Sequence, residues 1–433
     1  MTPRRLLAVG TVGSALVALG GWGSGALPPG EDGFGPGTPL VVVGVLLLGA
    51  AWWRLRSSYV SASLLWAAPL LLAPPMLSRD VYAYVGQAAL VVEGVDPYSN
   101  GPAALDGPLV DGIDEVWRET PSPYGPLWLM LASLVVRVTG ESLLPALVGM
   151  RLLAVLGLVL AGWALRRIGG DRALWLGVAN PLVLLHLVAG AHNEALMLGL
   201  MLAGLAVTSL PLATVLVTAA ALVKLPALAA LGFVVMVRPT WGDRLRAGLV
   251  SGAVCSVTAV LLSLDLGWGW LGTLDTGRAR LSLFSPMTGL GVLLPGGDAT
   301  LDAVLLVGLL LAVGAVAGLL WRTPSLGPVR AAGLALLAVS VLLPVVQPWY
   351  VLWGLLPLAA VAGPRLAAGL GAGCLVLALM VWPSGRSVVR PPLYGVPTLL
   401  AAAAMTAVGR RHGTVNVELD NQARSSQRPE TPA

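Results

Sequence analysis

Charge is scarce in this chain of 433 residues, because Asp, Glu, Lys and Arg together make up 11% of it, against about a quarter in a typical soluble protein. Lysine occurs once, at Lys224. Both cysteines, Cys255 and Cys374, lie inside apolar runs, which argues against a disulfide framework. The sequence also lacks a Walker-type glycine loop, a CxxC pair and an HExxH motif, so the P-loop and zincin classes are excluded.

Apolar sequence takes the place of charge. Hydrophobic residues make up 57% of the chain and the mean hydropathy is +0.84, values typical of a polytopic membrane protein. The formal charge of +5 does not indicate a nucleic-acid partner, because the basic residues are scattered singly between apolar runs. The start, MTPRRLLAVGTVGSALVALGG, has the regions of a signal peptide, but the many apolar runs that follow favour a retained first helix.

Apolar runs of about 17 to 25 residues indicate membrane spans, and arginine-rich loops are assigned to the cytoplasm. These rules predict about 14 spans in the plasma membrane, with both termini cytoplasmic. They cover residues 6–26, 38–53, 59–77, 143–165, 173–190, 195–209, 211–223, 226–238, 246–263, 300–320, 331–346, 349–363, 366–382 and 393–409. The predicted fold is therefore an all-α polytopic membrane domain over residues 1–409, followed by a disordered cytoplasmic tail over 410–433.

The longest polar break lies in a large predicted outer loop, residues 78–142. A loop of this length is usually functional. Its segment DVYAYVGQAALVVEG has apolar residues at helical spacing and predicts a short helix on the membrane surface. We assign PSPYGPLWLMLASLVVRVTG to an interfacial helix too, because a span there would place Arg166, Arg167 and Arg172 outside. A second outer loop is predicted over 264–299.

Polar and aromatic groups recur at the predicted outer ends of five separate segments. Charge near hydrocarbon is costly and usually functional, so a level at which such groups collect is a candidate site. The groups are Asp80; His192, Asn193 and Glu194; Lys224; Arg278 and Arg280; and Gln347, Trp349 and Tyr350.

Each of these residues also has a purely structural interpretation. Asp80 follows a break and suits a helix N-cap, and Lys224 suits a side chain that snorkels to the interface. The Leu-Pro that follows Lys224 favours instead a broken helix that binds an anion. His192 suits a hydrogen-bonded structural residue, while Trp349 and Tyr350 suit the ordinary aromatic belt of membrane proteins.

Taken together, a carboxylate that faces cations at the outer leaflet suits a sugar donor carried on a lipid phosphate. Cations stabilise the departing phosphate, and Asp80 would accept the proton of an acceptor hydroxyl as general base. One carboxylate is enough for inverting transfer, because a phosphate leaving group needs no protonation, unlike the leaving group in hydrolysis. No ligand spacing in the acidic loop requires a divalent ion, so no metal is expected.

The same stretches resemble a known family. SRDVYAYVGQAALVVEGVDPYSNGP, VWRETPSPYGPLWL, ANPLVLLHLVAGAHNEALMLGL, ALVKLPA and QPWYVLW are similar to segments of the polyprenol-phosphate-mannose-dependent α(1→6) mannosyltransferases of actinobacterial lipomannan and lipoarabinomannan synthesis. The resemblance covers most of residues 75–360. Glu194 departs from it slightly, because Asn-Asp is expected there as often as Asn-Glu.

The resemblance implies a GT-C fold, a polyprenyl-phospho-mannose donor, a lipid-anchored mannan acceptor, and inversion to an α linkage at the outer face of the plasma membrane. It implies that Asp80 is the catalytic base. Neither a nucleotide nor a metal cofactor is expected. The expected substrate-binding residues are Tyr82, Tyr84, His192, Asn193, Glu194, Lys224, Arg278, Arg280, Gln347, Trp349 and Tyr350.

Three alternatives stay open from the sequence. A lipid-linked sugar transporter or flippase would also be polytopic with charge inside the membrane. A non-catalytic partner subunit would not need the outer polar residues. The third alternative is another enzyme, either a mannosyltransferase that acts on another glycolipid or a related transferase that uses another polyprenyl-phospho-sugar, such as arabinose.

Overall fold

The computed structural model describes residues 1–24, 35–55, 57–275, 282, 284–386, 388, 393, 395–405 and 407. Within these residues the chain is helical and contains no β-strand. The all-α prediction is therefore confirmed for the described part of the chain. The predicted tail, 410–433, lies outside it.

The first half of the chain contains the helices that lie before, within and after the predicted outer loop. They are α1 Pro3–Trp22, α2 Thr38–Arg54, α3 Tyr59–Leu71, α4 Asp80–Val92, α5 Glu115–Arg118, α6 Pro126–Thr139, α7 Leu143–Gly169, α8 Ala173–Leu176, α9 Pro181–Val183, a π-helical turn Leu184–Ala189, α10 Glu194–Ala206 and α11 Leu210–Ala221. A 3₁₀ turn, Pro102–Ala104, lies within the loop.

The second half of the chain begins after α11 ends at Ala221. Its helices and turns are a 3₁₀ turn Leu225–Leu228, α12 Ala229–Met236, α13 Trp241–Ser263, a 3₁₀ turn Gly269–Asp275, α14 Pro286–Leu293, α15 Gly297–Trp321, α16 Thr323–Leu326, α17 Pro328–Leu342, a 3₁₀ turn Pro348–Val351, α18 Leu352–Val361, α19 Pro364–Leu377 and α20 Val396–Met405.

Four described helices are long and apolar enough to cross a membrane: α1, α7, α13 and α15. A fifth candidate is the pair formed by Pro181–Ala189 and α10, which is bent by 119°. Many other predicted spans correspond to apolar helices of 10–17 residues. The chain is thus a helical membrane protein, and the count of about 14 spans stays a prediction.

The predicted single span 173–190 is wrong. The structure divides it into α8, α9 and the π-helical turn. Pro181 explains the division, because proline lacks an N–H and disfavours helical geometry in the residue before it. Asn180 then caps the new start by accepting the Leu182 N–H at 2.8 Å.

Helix α4 is also placed differently from the prediction. It was expected to lie on the membrane surface, but the side chains from Val81 to Leu90 are buried on all sides. It packs against α6 and α7. The reason is that its small residues, such as Ala83 and Ala88, let neighbouring segments approach the face that a surface helix would turn to water. The loop helix is therefore part of the protein core.

Glycine pairs bring three sets of helices into close contact. A Cβ on one member of each pair would lie 2.3 to 2.5 Å from the carbonyl oxygen of the other. Small residues at such crossings let backbones pack where the hydrophobic effect gives no attraction between membrane helices. The pairs are Gly13 with Gly44 between α1 and α2, Gly157 with Gly199 between α7 and α10, and Gly333 with Gly354 between α17 and α18.

A buried arginine ties α7 to two other segments. The guanidinium of Arg151 donates to the carbonyls of Leu71 at 2.9 Å and Ala73 at 2.8 Å. It also donates to the carbonyls of Val188 at 3.2 Å and Ala189 at 3.0 Å. These carbonyls lie where α3 and the π-helical turn end, and such termini carry partial negative charge. Arg151 thereby fixes the two segments that lead into the candidate site.

Candidate active site

Asp80 is the first residue of α4 and its carboxylate points into a cluster of polar groups. The indole N–H of Trp117 donates to Asp80 Oδ1 at 3.2 Å. The residue before it, Arg79, occupies the N-cap position, and its side chain makes no capping hydrogen bond. The capping interpretation of Asp80 is therefore wrong.

The segment before Asp80 is held by the C-terminal part of the chain. Leu77 has a left-handed φ of 67°, and its N–H donates to the carbonyl of Pro383 at 2.8 Å. The Asp80 N–H donates to Ser78 Oγ at 3.0 Å. Because backbone and side-chain bonds support both sides of this turn, the Asp80 carboxylate has a defined position.

The second side of the site is the bend before α10. Ala191 has a left-handed φ of 52°, which costs a non-glycine residue about 1–2 kcal/mol. A Cβ on Gly190 would lie 2.7 Å from the His186 carbonyl oxygen and 3.2 Å from that of Met76. This tight turn places His192, the next residue, beside the segment that carries Asp80.

Glu194 lies at the centre of the cluster. His192 Nδ1 is 3.5 Å from Asp80 Oδ2 and 3.8 Å from Glu194 Oε2. The Lys224 ammonium forms an ion pair with Glu194 Oε1, which also accepts a hydrogen bond from Trp349 Nε1 at 3.2 Å. The side chain of Lys224 is 14% exposed, so it does not snorkel to the surface. The predicted break in the chain at Lys224 is confirmed, because α11 ends at Ala221.

Aromatic rings form the wall of the site. The rings of His192 and Trp349 stack with centroids 4.0 Å apart. Lys224 Nζ lies 4.6 Å from the centroid of Tyr350, and Tyr350 stacks on Trp353 at 4.3 Å. Trp349 is 5% exposed, so the aromatic-belt interpretation is wrong for this residue.

The structure brings together seven of the residues predicted to bind substrate or catalyse transfer. They are Asp80, His192, Asn193, Glu194, Lys224, Trp349 and Tyr350. Tyr84 lies on the same face of α4 as Asp80, one turn later, and meets the ring of Tyr124 edge-on at 5.2 Å.

The remaining predicted residues do not share one position. Tyr82 lies on the opposite face of α4, where a Cβ on Gly112 would lie 3.2 Å from its ring. Gln347 contributes its carbonyl, which accepts the Tyr350 N–H at 2.9 Å. Arg278 and Arg280 lie outside the described residues.

Several residues at the site were missed by sequence reasoning. They are Trp117, Tyr124, His186 and Trp353. Trp117 and Tyr124 fall inside VWRETPSPYGPLWL, so the family resemblance already carried a signal for them. His186 and Trp353 likewise fall inside ANPLVLLHLVAGAHNEALMLGL and QPWYVLW, so the resemblance carried the same signal for them.

Burial determines the electrostatics of Asp80, whose side chain is 18% exposed. Burial raises the pKa of Asp80 to about 6, with Lys224 opposing the shift and Glu194 adding to it. A carboxyl group whose pKa lies near neutrality suits proton transfer at physiological pH.

Unpaired polar atoms lie beside the ion pair. The amide nitrogen and oxygen of Asn193 and the Oε2 of Glu194 are buried with no hydrogen-bond partner among the described residues. Buried polar atoms are normally paired, and sugar hydroxyls could pair with these atoms. Within the described ranges no group of three or more His, Cys, Asp and Glu side chains has the arrangement of a metal site.

The fold and the site define a polytopic helical membrane protein whose polar, aromatic-walled site joins a carboxylate, a histidine and a lysine. Residues 7–240 match the family model described as Alpha-(1->6)-mannopyranosyltransferase, N-terminal domain. Residues 281–411 match the model described as MptB C-terminal domain. The chain therefore belongs to the alpha-(1->6)-mannopyranosyltransferase family.

Curated relatives agree with this assignment. A Mycolicibacterium smegmatis protein named as a probable alpha-(1->6)-mannopyranosyltransferase is 37% identical over 83% of this chain and 79% of its own length. An alpha-(1->6)-mannopyranosyltransferase of Mycobacterium tuberculosis is 34% identical over the same shares. Alpha-(1->6)-mannopyranosyltransferase B of Corynebacterium glutamicum is 33% identical over 84% of this chain and 74% of its own. No solved structure gives a significant match.

Proposed function

We propose that the protein is an inverting glycosyltransferase that moves mannose from polyprenyl-phospho-mannose to a lipid-linked mannan and forms α(1→6) linkages at the outer face of the plasma membrane. Asp80 is its general base. The observation that carries the proposal is the Asp80 carboxylate, partly exposed and held between Trp117 at 3.2 Å and His192 at 3.5 Å. Membership of a family of mannosyltransferases favours transfer over transport.

The reaction needs one bond to form and one to break. The 6-hydroxyl oxygen of the acceptor attacks the anomeric carbon of the donor mannose from the face opposite the phosphate. The bond from that carbon to the phosphate oxygen breaks, and polyprenyl phosphate leaves with the electron pair. Asp80 accepts the hydroxyl proton. Inversion converts a β-linked donor into an α-linked product.

Lys224 is placed to stabilise the leaving phosphate. An ammonium has three N–H donors, and the ion pair with Glu194 uses one of them. The others could bind phosphate oxygens, where a cation lowers the energy of developing negative charge. Arg278 and Arg280 are proposed to add positive charge, because Asp80 and Glu194 outnumber Lys224 in this cluster.

An apolar groove of about 630 Å³ supports a lipid-linked donor. It lies between α6, α11 and α13 and is lined by Leu127, Val215, Ala219, Ala253, Val254, Val257, Thr258, Leu261 and Leu262. Its α6 end lies near the site, because the Trp128 N–H contacts the Leu222 carbonyl at 3.4 Å, two residues before Lys224. A polyprenyl chain in this groove would therefore present its phosphate near Lys224.

The test is transfer of labelled mannose from polyprenyl-phospho-mannose to a short α(1→6) mannoside in membranes. We expect Asp80→Asn, inserted at the same level as wild type, to lower the rate by about 10²- to 10⁴-fold, because the general base is lost. Asp111→Asn is the matched control, since it makes the same change at an exposed position of the same loop and should transfer normally.

The other outcomes separate the alternatives. Equal transfer by wild type and Asp80→Asn would reject Asp80 as the base and direct attention to Glu194. Transfer from the corresponding arabinose donor, but not from the mannose donor, would replace the donor assignment. A wild-type protein that transfers no sugar at all would favour the transporter or partner-subunit interpretation.

A further inference from the structure

A second groove lies on the side of the protein away from the candidate site. It opens between α3 and α7 and has a volume of about 770 Å³, within the usual range for ligand pockets. Val60 and Leu64 of α3 form one wall, and Val159 and Trp163 of α7 form the other. These four side chains are 41% to 68% exposed. We call it the α3–α7 groove.

The floor of the α3–α7 groove is closed and apolar. Leu158 and Leu174 are 7% and 5% exposed, and both line the groove. Gly162 also lines it, and a Cβ there would lie 3.5 Å from Val178 Cγ2, an ordinary contact distance. The floor of the groove is therefore apolar, and Gly162 adds no side chain to it.

Two arginines lie at one end of this groove. Arg166 and Arg167 line it and are exposed. Arg166 forms an ion pair with Asp171 at 2.6 Å, but both side chains are more than half exposed, so this pair is weak. Arg167 Nε donates to the Ala206 carbonyl at 3.1 Å. Because a guanidinium has five N–H donors, each arginine has donors left for an anion.

The length of the groove matches one membrane leaflet. From Leu158 to Arg166 the helix rises by about 12 Å, and half of the hydrocarbon core is about 15 Å. Arg151, which holds the segments of the candidate site, lies about 22 Å from Arg166 along α7. This separation exceeds one leaflet, so the arginine end of the groove lies towards the opposite face of the membrane from Arg151.

We propose that the α3–α7 groove binds a phospholipid with an anionic head group from the leaflet at its arginine end. The acyl chains lie on the apolar walls, and the phosphate group binds Arg166 and Arg167. Basic pockets between membrane helices recognise anionic head groups in this way. The positive-inside tendency explains arginines at this face, but it does not explain why they end a deep apolar groove.

Native mass spectrometry of the delipidated, detergent-solubilised full chain tests the proposal. Phosphatidylglycerol and phosphatidylcholine with the same acyl chains are added separately. We expect phosphatidylglycerol to be retained about 30-fold more tightly, at about fivefold for each arginine near a head group. The double variant Arg166→Gln, Arg167→Gln should retain both lipids equally. Arg322→Gln, at an exposed arginine that ends α15 away from the groove, should behave as wild type.

A second variant tests the groove itself. Gly162→Leu would fill the groove and leave both arginines in place, so it should weaken binding of both lipids. Equal retention of the two lipids by wild type would overturn the proposal, and so would an unchanged preference in the double variant. A third pair of results would also overturn it: inorganic phosphate displaces phosphatidylglycerol, and Gly162→Leu still binds the lipid. The site would then bind the anion without the acyl chains.

Discussion

Asp80 differs from the other acidic residues of the outer loop in what surrounds it. Asp106, Asp111 and Glu115 are exposed, whereas the Asp80 carboxylate lies against Trp117 and His192. The sequence gives no distance between them, because all are acidic residues in one polar stretch. The sequence singled out Asp80 by its place just after an apolar run, and folding adds the contacts that distinguish its carboxylate from the solvated ones.

The raised pKa of Asp80 predicts how transfer depends on pH. A general base must be ionised, so the rate should fall as the pH falls through about 6, instead of near 3.8, the ordinary pKa of an aspartate side chain. The measurement is kcat/KM for mannose transfer between pH 4.5 and 8. Asp111→Asn should leave the acid limb in place, and an acid limb near pH 4 in wild type would contradict the burial of Asp80.

The same pKa predicts a gain of stability in Asp80→Asn. Because the pKa of Asp80 is raised in the folded state, folding favours the protonated carboxyl group. Its contribution to the free energy of unfolding is lost as the pH rises through about 6. Asparagine carries no charge, so the Tm of the variant should exceed that of wild type above pH 6. The difference should shrink as the pH falls towards 3.8. A variant less stable than wild type at neutral pH would show that Asp80 is needed for folding.

The site residues that could be predicted from the sequence were polar groups in apolar surroundings. Lys224 and Glu194 stood out because charge is rare in such segments. Tyr82 and Tyr84 lie on opposite faces of α4 because residues two apart on a helix point in different directions, and both faces are buried. Tyr124, which contacts Tyr84, comes from a distant part of the loop, and chain spacing alone does not show such a contact.

At the scale of elements, two left-handed residues enter the site. Leu77 lies three residues before Asp80, and Ala191 lies directly before His192. Strained backbone of this kind is found at functional sites, where the surrounding structure holds it. Here Arg151 binds the carbonyls of both preceding segments. The bends are therefore imposed by tertiary contacts.

Ala191→Gly should stabilise the protein and test the strain directly. Glycine adopts positive φ without the steric cost, so we expect about 1 kcal/mol greater stability and a higher Tm. Ser58→Gly is the control, because Ser58 has a φ of 60° away from the site and should give a similar gain. If transfer falls in Ala191→Gly but not in Ser58→Gly, the rigid bend is needed to place His192. A lower Tm in Ala191→Gly would show that the backbone at Ala191 is not strained.

Element boundaries were predictable where an apolar run ended at charge or proline. Helix α2 covers Thr38–Arg54, close to the predicted 38–53, and α7 begins at Leu143, as predicted. The prediction failed over 173–190, because hydropathy averages over the Asn180–Pro181 break. It also failed for α4, because a pattern of apolar residues cannot show whether lipid or protein covers them.

At the scale of the whole molecule, the site is shared by two parts of the chain. Asp80, Glu194 and Lys224 belong to the region that matches the N-terminal family model, whereas Trp349 and Tyr350 belong to the C-terminal one. The bond between Trp349 and Glu194 joins them. The position of α10, which begins with Glu194, therefore determines whether the site is complete.

Gly157→Ala should displace α10. A Cβ on Gly157 would lie 2.3 Å from the backbone of Ala195, so the helices must separate. We expect a lower Tm and at least a tenfold loss of transfer, because a loss of about 1.4 kcal/mol of binding free energy at the site is enough for a factor of ten. Gly314→Ala is the matched control, because open space surrounds that position. Its Tm should not fall, since alanine favours helix, and equal behaviour of both variants would contradict the close packing.

The hydrogen bonds of Arg151 also set an order for biogenesis. A ribosome makes the chain from the N-terminus, so the carbonyls of Leu71 and Ala73 exist when α7 enters the membrane, whereas those of Val188 and Ala189 do not. At that stage only some of the N–H groups of the Arg151 guanidinium have carbonyl partners within the protein. Its remaining hydrogen bonds form only after roughly the next forty residues, which separate Arg151 from Ala189, have been made and have docked. The nascent chain therefore acquires its site only after that later segment folds back onto α7.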